Sequence, residues 1–137
     1  MEAFENSQQD NEEPGKTLRP ILRSINSVSS DIEASAVISS DGFTLAAVLG
    51  SEVDSDRFGA MCASLLALAN RAAQEISRGK LKQVLIEGEN GIMLLVYAGS
   101  DAVLAVAAKE TINLGKIFID SRNAAARIST SLERISY

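Results

Sequence analysis

The 137-residue chain has no histidine, no tryptophan and one cysteine, Cys62, with only two prolines and 4% aromatic residues. Without histidine it lacks the commonest zinc ligand, the usual general base and the side chain that switches charge near neutral pH. A single cysteine closes no internal disulfide. Scarce aromatics leave little on which nucleic-acid bases could stack. No run reaches the ~18 consecutive apolar residues of a membrane span, and the start Met1-Glu2-Ala3-Phe4-Glu5 has neither a basic stretch nor an apolar segment behind it. The expectation is a cytoplasmic protein with no catalytic residue, cofactor or metal of its own, no nucleic-acid partner and no membrane insertion.

What is present is an ordinary globular composition, 46% hydrophobic and 23% charged, at a length that fits one domain. Net charge is −5, unevenly spread. Residues 1–16 carry Glu2, Glu5, Asp10, Glu12 and Glu13 against Lys16, net −4, while the remainder holds 13 acids and 12 bases, net −1. A body without basic excess cannot neutralise a phosphate backbone. The polar acidic stretch over 1–16, closed by Pro14-Gly15, is too poor in apolar side chains to offset the entropy of ordering and reads as a disordered arm ahead of one domain over 17–137.

Along that domain the pattern predicts a short helix from Thr17 to about Ser30, with Pro20 in its first turn and Leu18, Leu22, Ile25 and Val28 on one face. Two short runs follow, Ala34 to Ser39 and Phe43 to Leu49. Between them Ser40-Asp41-Gly42 supplies turn chemistry, so they form a hairpin. A long helix spans Val53 to Arg78, with Asp54 and Asp56 near its start and Gly79 past its end. Lys82 to Glu87, Ile92 to Ala98 and Val103 to Ala108 read as a three-stranded meander, its first turn a type I′ at Asn90-Gly91. Ile92 to Tyr97 is apolar on both faces, which requires cover above and below. The last element is an amphipathic helix carrying Leu114, Ile117, Phe118, Ser121, Ala125, Ile128, Leu132 and Ile135. The expected fold is α/β, ordered α-β-β-α-β-β-β-α, with a mainly antiparallel five-stranded sheet and helices on both faces.

The central helix is unusual. At ~100° per residue, Phe58, Met61, Cys62, Leu65, Ala69, Ala72, Ala73 and Ile76 form a stripe suited to packing on the sheet. The opposite side offers Ala60, Ala63, Ser64 and Ala67, and none of the 13 positions between Arg57 and Arg71 is charged. Small side chains admit a second helix closely, so a homodimer through this face is one reading, and other parts of the same chain covering it is the other. If two such helices pair, the strand with Val84 and Ile86 on one face and Leu85 on the other can meet its copy, removing an exposed edge from each subunit.

Motifs with a chemical use fail on inspection. Pro14-Gly15-Lys16-Thr17 ends like a phosphate-binding loop, but Asp10 stands where the first glycine belongs. Ser77-Arg78-Gly79-Lys80 has serine–lysine spacing, yet Arg78 and Lys80 suit a helix C-terminus better. Asp54 and Asp56 lack the remaining ligands of a calcium loop. Cys62 has no histidine partner and reads as a packed thiol. An i,i+4 pair of Arg71 with Glu75 is the simpler use of that arginine.

The ordered set of segments resembles the Roadblock family, which includes dynein light chains and a bacterial gliding-motility GTPase regulator. Its carriers are Ala36-Val37-Ile38-Ser39-Ser40-Asp41-Gly42 running into Phe43-Thr44-Leu45-Ala46, the alanine-rich helix from Asp54, Gln83-Val84-Leu85-Ile86-Glu87, and Gly91-Ile92-Met93-Leu94-Leu95-Val96 with Leu104-Ala105-Val106. The resemblance covers about residues 17–130. It implies a profilin-like sandwich, homodimers built by the central helix and third strand, and a non-enzymatic regulator or scaffold of a Ras-like small GTPase, stimulation of GTP hydrolysis being one form of that role. Interface candidates are Ala60, Ala63, Ser64, Ala67, Val84 and Ile86; candidate GTPase contacts are Arg71, Gln74, Glu75 and Arg78. A small-ligand sensor on a related sandwich is the alternative, and it would need a pocket with convergent polar groups.

Overall fold

The computed structural model describes residues 12–135. Helix α1 covers Glu12–Ser27, starting five residues ahead of Thr17, so Glu12 to Lys16, expected in the disordered arm, are helical. The rest of that arm, 1–11, lies outside the described residues. Pro14 falls in the first turn, where no backbone N–H is needed, whereas Pro20 sits in the interior, contrary to expectation. Leu18, Ile21, Leu22 and Ile25 are all buried, and at ~1.5–3 kcal/mol each they outweigh the ~3 kcal/mol an interior proline costs. Val28, expected on this face, lies past the helix end and is 45% exposed; Ile21 takes its place.

Strands β1 (Ile32–Ser39) and β2 (Thr44–Val48) form the expected hairpin around Gly42, whose φ of +92° suits glycine. Ser39 closes it twice: its N–H donates to the Phe43 carbonyl at 2.8 Å, and its Oγ accepts from the Phe43 N–H at 3.0 Å. Helix α2 (Ser55–Glu75) carries the chain to β3 (Gln83–Gly88), β4 (Gly91–Tyr97) and β5 (Ala102–Ala108), and α3 (Leu114–Ile135) completes the fold. Every strand pairing is antiparallel, in the order β2-β1-β5-β4-β3. The α2 crossover therefore takes the chain from one sheet edge to the other.

The β3–β4 turn is not type I′. Gly88 pairs with Gly91, leaving Glu89 and Asn90 as the loop, and among the described residues Ser77 is the only non-glycine at positive φ. Gly91 itself has φ +146°, and a Cβ there would collide with the Ala108 carbonyl oxygen. Close approach to β5, rather than turn chemistry, requires this glycine.

The two faces are unequal. Against α1 and α3 lies a cluster of 19 buried side chains, including Val37, Leu94, Leu104, Val106 and Ile128. Against α2, among the described residues, only seven apolar side chains are buried: Ala36, Ile38, Cys62, Leu66, Leu95, Val103 and Ala105. The second layer is thin, and among the described residues α2 alone provides it. In α3 the expected stripe holds at Ile117, Ser121, Ala125 and Ile128, while Leu114 is 44% exposed.

Candidate interaction surface

Asp54 starts α2 as its N-cap, Oδ1 accepting from the N–H groups of Asp56 and Arg57 at 3.1 and 3.2 Å. Gly59 then fixes which side of the helix faces inward. A Cβ on Gly59 would lie 2.6 Å from the Gly42 carbonyl oxygen and 2.9 Å from Thr44 Oγ1, so its absence lets the β1–β2 turn press against the helix. The buried arc runs through Gly59, Cys62 and Leu66, about 70° from the centre of the expected stripe at ~100° per residue. Phe58, Leu65, Ala69 and Ala73 remain half-buried at its border. Met61, Ala72 and Ile76, expected on the sheet, are exposed, Met61 to 62%.

The interface candidates divide accordingly. Ala60, Ser64 and Ala67 are exposed, as a free back requires. Ala63 is instead half-buried at the hairpin, its Cβ 3.4 Å from where a Gly42 Cβ would sit. Val84 packs half-buried at the margin of the α2 cluster. Ile86 on the same face is exposed, and Leu85 on the other face is too. Strand β3 pairs only with β4, so its outer edge has no strand neighbour among the described residues. The sequence reading missed Leu68, 66% exposed, and the exposed Phe43 at the hairpin tip. Leu68 sits in the charge-free run and was the available signal.

Arg71, Gln74, Glu75 and Arg78 are all exposed at the C-terminal end of α2 and beyond. The expected Arg71–Glu75 pair does not form; the ion pair seen at that spacing is Lys116–Asp120 at 2.7 Å in α3. Arg78 folds back, its Nε donating to the Ile76 carbonyl at 3.0 Å.

Ser77 and Lys80 are both exposed, so nothing desolvates the lysine. Lys16 and Thr17 lie in a helix, where their backbone N–H groups cannot cradle phosphate. Burial raises the Cys62 thiol from 9.0 to about 11, the opposite of what a nucleophile needs. Among the described residues no cluster of three His, Cys, Asp or Glu could hold a metal, and no helix is long and apolar enough to cross a membrane. A hollow between α2 and the sheet ends, lined by Ser39, Ser40, Ala67, Tyr97 and Ser100 among others, measures about 140 Å³, below the ~300 Å³ usual for ligand sites. Two wider hollows, about 510 Å³ beside Thr17, Ile21 and Arg127 and about 460 Å³ beside Leu49, Asp54 and Asp56, open to solvent on the surface.

Among the described residues, a five-stranded antiparallel sheet with two helices on one face and one on the other defines a profilin-like α/β sandwich. Residues 21–108 match the Roadblock/LC7 domain model, and the chain belongs to that family. It is 40% identical over 97 residues to an uncharacterised protein of Methanocaldococcus jannaschii, a match covering 71% of this chain and 84% of that one. It resembles the structure of Myxococcus xanthus MglB with a TM-score of 0.80 at 15% identity, over 90% of this chain and 92% of that one. Schizosaccharomyces pombe profilin aligns at TM-score 0.58 and 12% identity, over 88% and 99%. Identities this low speak for the fold alone.

Proposed function

We propose that this chain is a cytoplasmic, homodimeric, non-enzymatic regulator or scaffold of a Ras-like small GTPase, its two copies joined through the outer face of α2 and the edge of β3. The observation that carries the reading is the water-facing side of α2, where Met61 and Leu68 are 62% and 66% exposed among Ala60, Ser64, Ala67 and Ala72. Each large apolar group withdrawn from water is worth roughly 1.5–3 kcal/mol, so a lone protomer leaves this stabilisation unused. The β3 edge, with Leu85 and Ile86 exposed, needs cover for the same reason and offers unpaired backbone groups. Roadblock membership supports a GTPase as the second partner, docking on the surface that two copies create, with Arg71, Gln74, Glu75 and Arg78 at its rim. In this reading, acceleration of GTP turnover would act through the partner's own residues.

The test has two stages. Sedimentation at micromolar concentration is expected to give twice the 14.5 kDa chain mass. The purified dimer is then titrated with its cognate GTPase in GDP- and GTP-bound forms, and hydrolysis is followed. Binding to neither form would remove the GTPase from the proposal and leave the dimer standing.

A further inference from the structure

The exposed strip of α2 is symmetric about its middle in a way that a single chain does not need. Arg57, Met61, Ser64, Leu68, Arg71 and Glu75 recur at steps of three and four and lie along one side of the helix. Taken in pairs from the outside inward, they sit equally far from position 66. A two-fold axis through that point would lay Ser64 on Leu68 of a second copy, Met61 against the aliphatic stem of Arg71, and Arg57 on Glu75. Beyond the helix ends the same axis brings Asp54 opposite Arg78.

We infer that Arg57 with Glu75, and Asp54 with Arg78, of two antiparallel copies form reciprocal ion pairs that set the register of α2 on α2 and select this chain as its own partner. This rests on the paired-helix reading above and goes beyond it by naming the residues that decide which helix is accepted. Three observations carry it. First, the four side chains are exposed, and none is ion-paired among the described residues: Asp54 serves only as cap, and Arg78 uses only Nε on the Ile76 carbonyl.

Second, Arg57 and Glu75 are on the wrong ends of their own helix. Arg57 lies in the first turn, where the macrodipole is positive, and Glu75 is the final helical residue, where it is negative. Each opposes its own helix and is matched only by an antiparallel neighbour. Third, a shifted antiparallel axis and a parallel pair each bring like charges together. Moving the axis to position 64 would put Arg57 on Arg71, and a parallel pair would set Asp54 and Asp56 beside their own copies. In the inferred register Glu75 and Arg78 give their charge to the second copy, leaving Arg71 and Gln74 as the polar contacts for a GTPase.

Charge reversal tests this directly. In R57E two pairs of glutamates face each other, and in E75R two pairs of arginines do, so each variant is expected to self-associate about tenfold more weakly than the wild type. Mixed together, R57E supplies acid at both positions and E75R supplies base at both, so heterodimers are expected to form preferentially at low salt. That preference fades at 1 M NaCl, where the screening length falls to ~3 Å. Each reversal also suits its own helix dipole, so far-ultraviolet circular dichroism should show intact folds. The neutral variants R57Q and E75Q give a second measurement through a double-mutant cycle on the dissociation constant.

A dimeric wild type whose two reversal variants pair with themselves as readily as with each other, and whose cycle shows no coupling, overturns the register while leaving the paired-helix reading intact. A wild type that is monomeric at every concentration overturns the paired-helix reading itself, and the register with it.

Discussion

Gly59 and Cys62 are three positions apart on α2, and both show how one residue ties the helix to the layer beneath. Alanine at 59 would gain ~1 kcal/mol of helix propensity. Its Cβ, however, would come within 2.6 Å of a backbone oxygen, Gly42 O, which cannot move without the hairpin moving. Overpacking of this kind costs ~1–3 kcal/mol, so Gly59→Ala is expected to destabilise by about 1 kcal/mol net, read as a lower urea midpoint at unchanged slope. Cys62, 2% exposed, carries a pH signature. Its thiol is raised by burial to about 11 in the folded chain against 9.0, so unfolding releases a more acidic group. The stabilisation from keeping it protonated is complete below pH 9 and is lost as pH rises from 9 to 11, about 3 kcal/mol in all. Cys62→Ala should be less stable at pH 8 yet lose less between pH 8 and 11 than the wild type, as followed by denaturant titration at each pH.

The elements themselves were largely legible, because their signals are local. Asp41-Gly42 between two apolar runs specifies a hairpin, and the three- and four-residue spacing of Leu114 to Ile135 specifies a last helix. Asp54 belongs to the same class of signal: Asp54→Ala removes the acceptor for two N–H groups and is expected to cost ~1 kcal/mol in thermal or urea unfolding. What was not legible depends on contacts between elements. The helical rotation of α2 is set by the Gly42 turn pressing on Gly59, a meeting of segments that periodicity does not encode, so Met61 was assigned inward and Leu66 was overlooked. Asn90-Gly91 has the composition of a type I′ turn, but Gly91 answers to β5, and Pro20 is tolerated inside α1 because tertiary burial outweighs local preference. Of the candidate surface, the exposure of Ala60, Ser64 and Ala67 followed from the missing charges, whereas the half-burial of Ala63 beneath the hairpin did not.

At the scale of the whole molecule, the imbalance between a face with 19 buried side chains and one with seven gives the proposed pairing its thermodynamic consequence. If two copies share the thin face, folding and association are linked, and the melting temperature must depend on protein concentration. A tenfold dilution is worth about 1.4 kcal/mol per dimer, which for two chains of this length is a fall of about 2–3 °C. Arginine introduced on the outer side of α2 separates the two contributions. Ala67 is exposed and Leu68 is 66% exposed in the protomer, so Ala67→Arg or Leu68→Arg disturbs no buried contact there but would place a guanidinium inside the shared face without a partner. Either variant is expected to sediment at 14.5 kDa with a melting temperature that no longer moves on dilution. Arg122→Ala, on α3, loses only an exposed 3.3 Å bond to the Gln83 side chain at the start of β3 and should keep both the double mass and the concentration dependence. Double mass in both arginine variants would mean that copies meet elsewhere, and the exposed side of α2 would then be left without its proposed purpose.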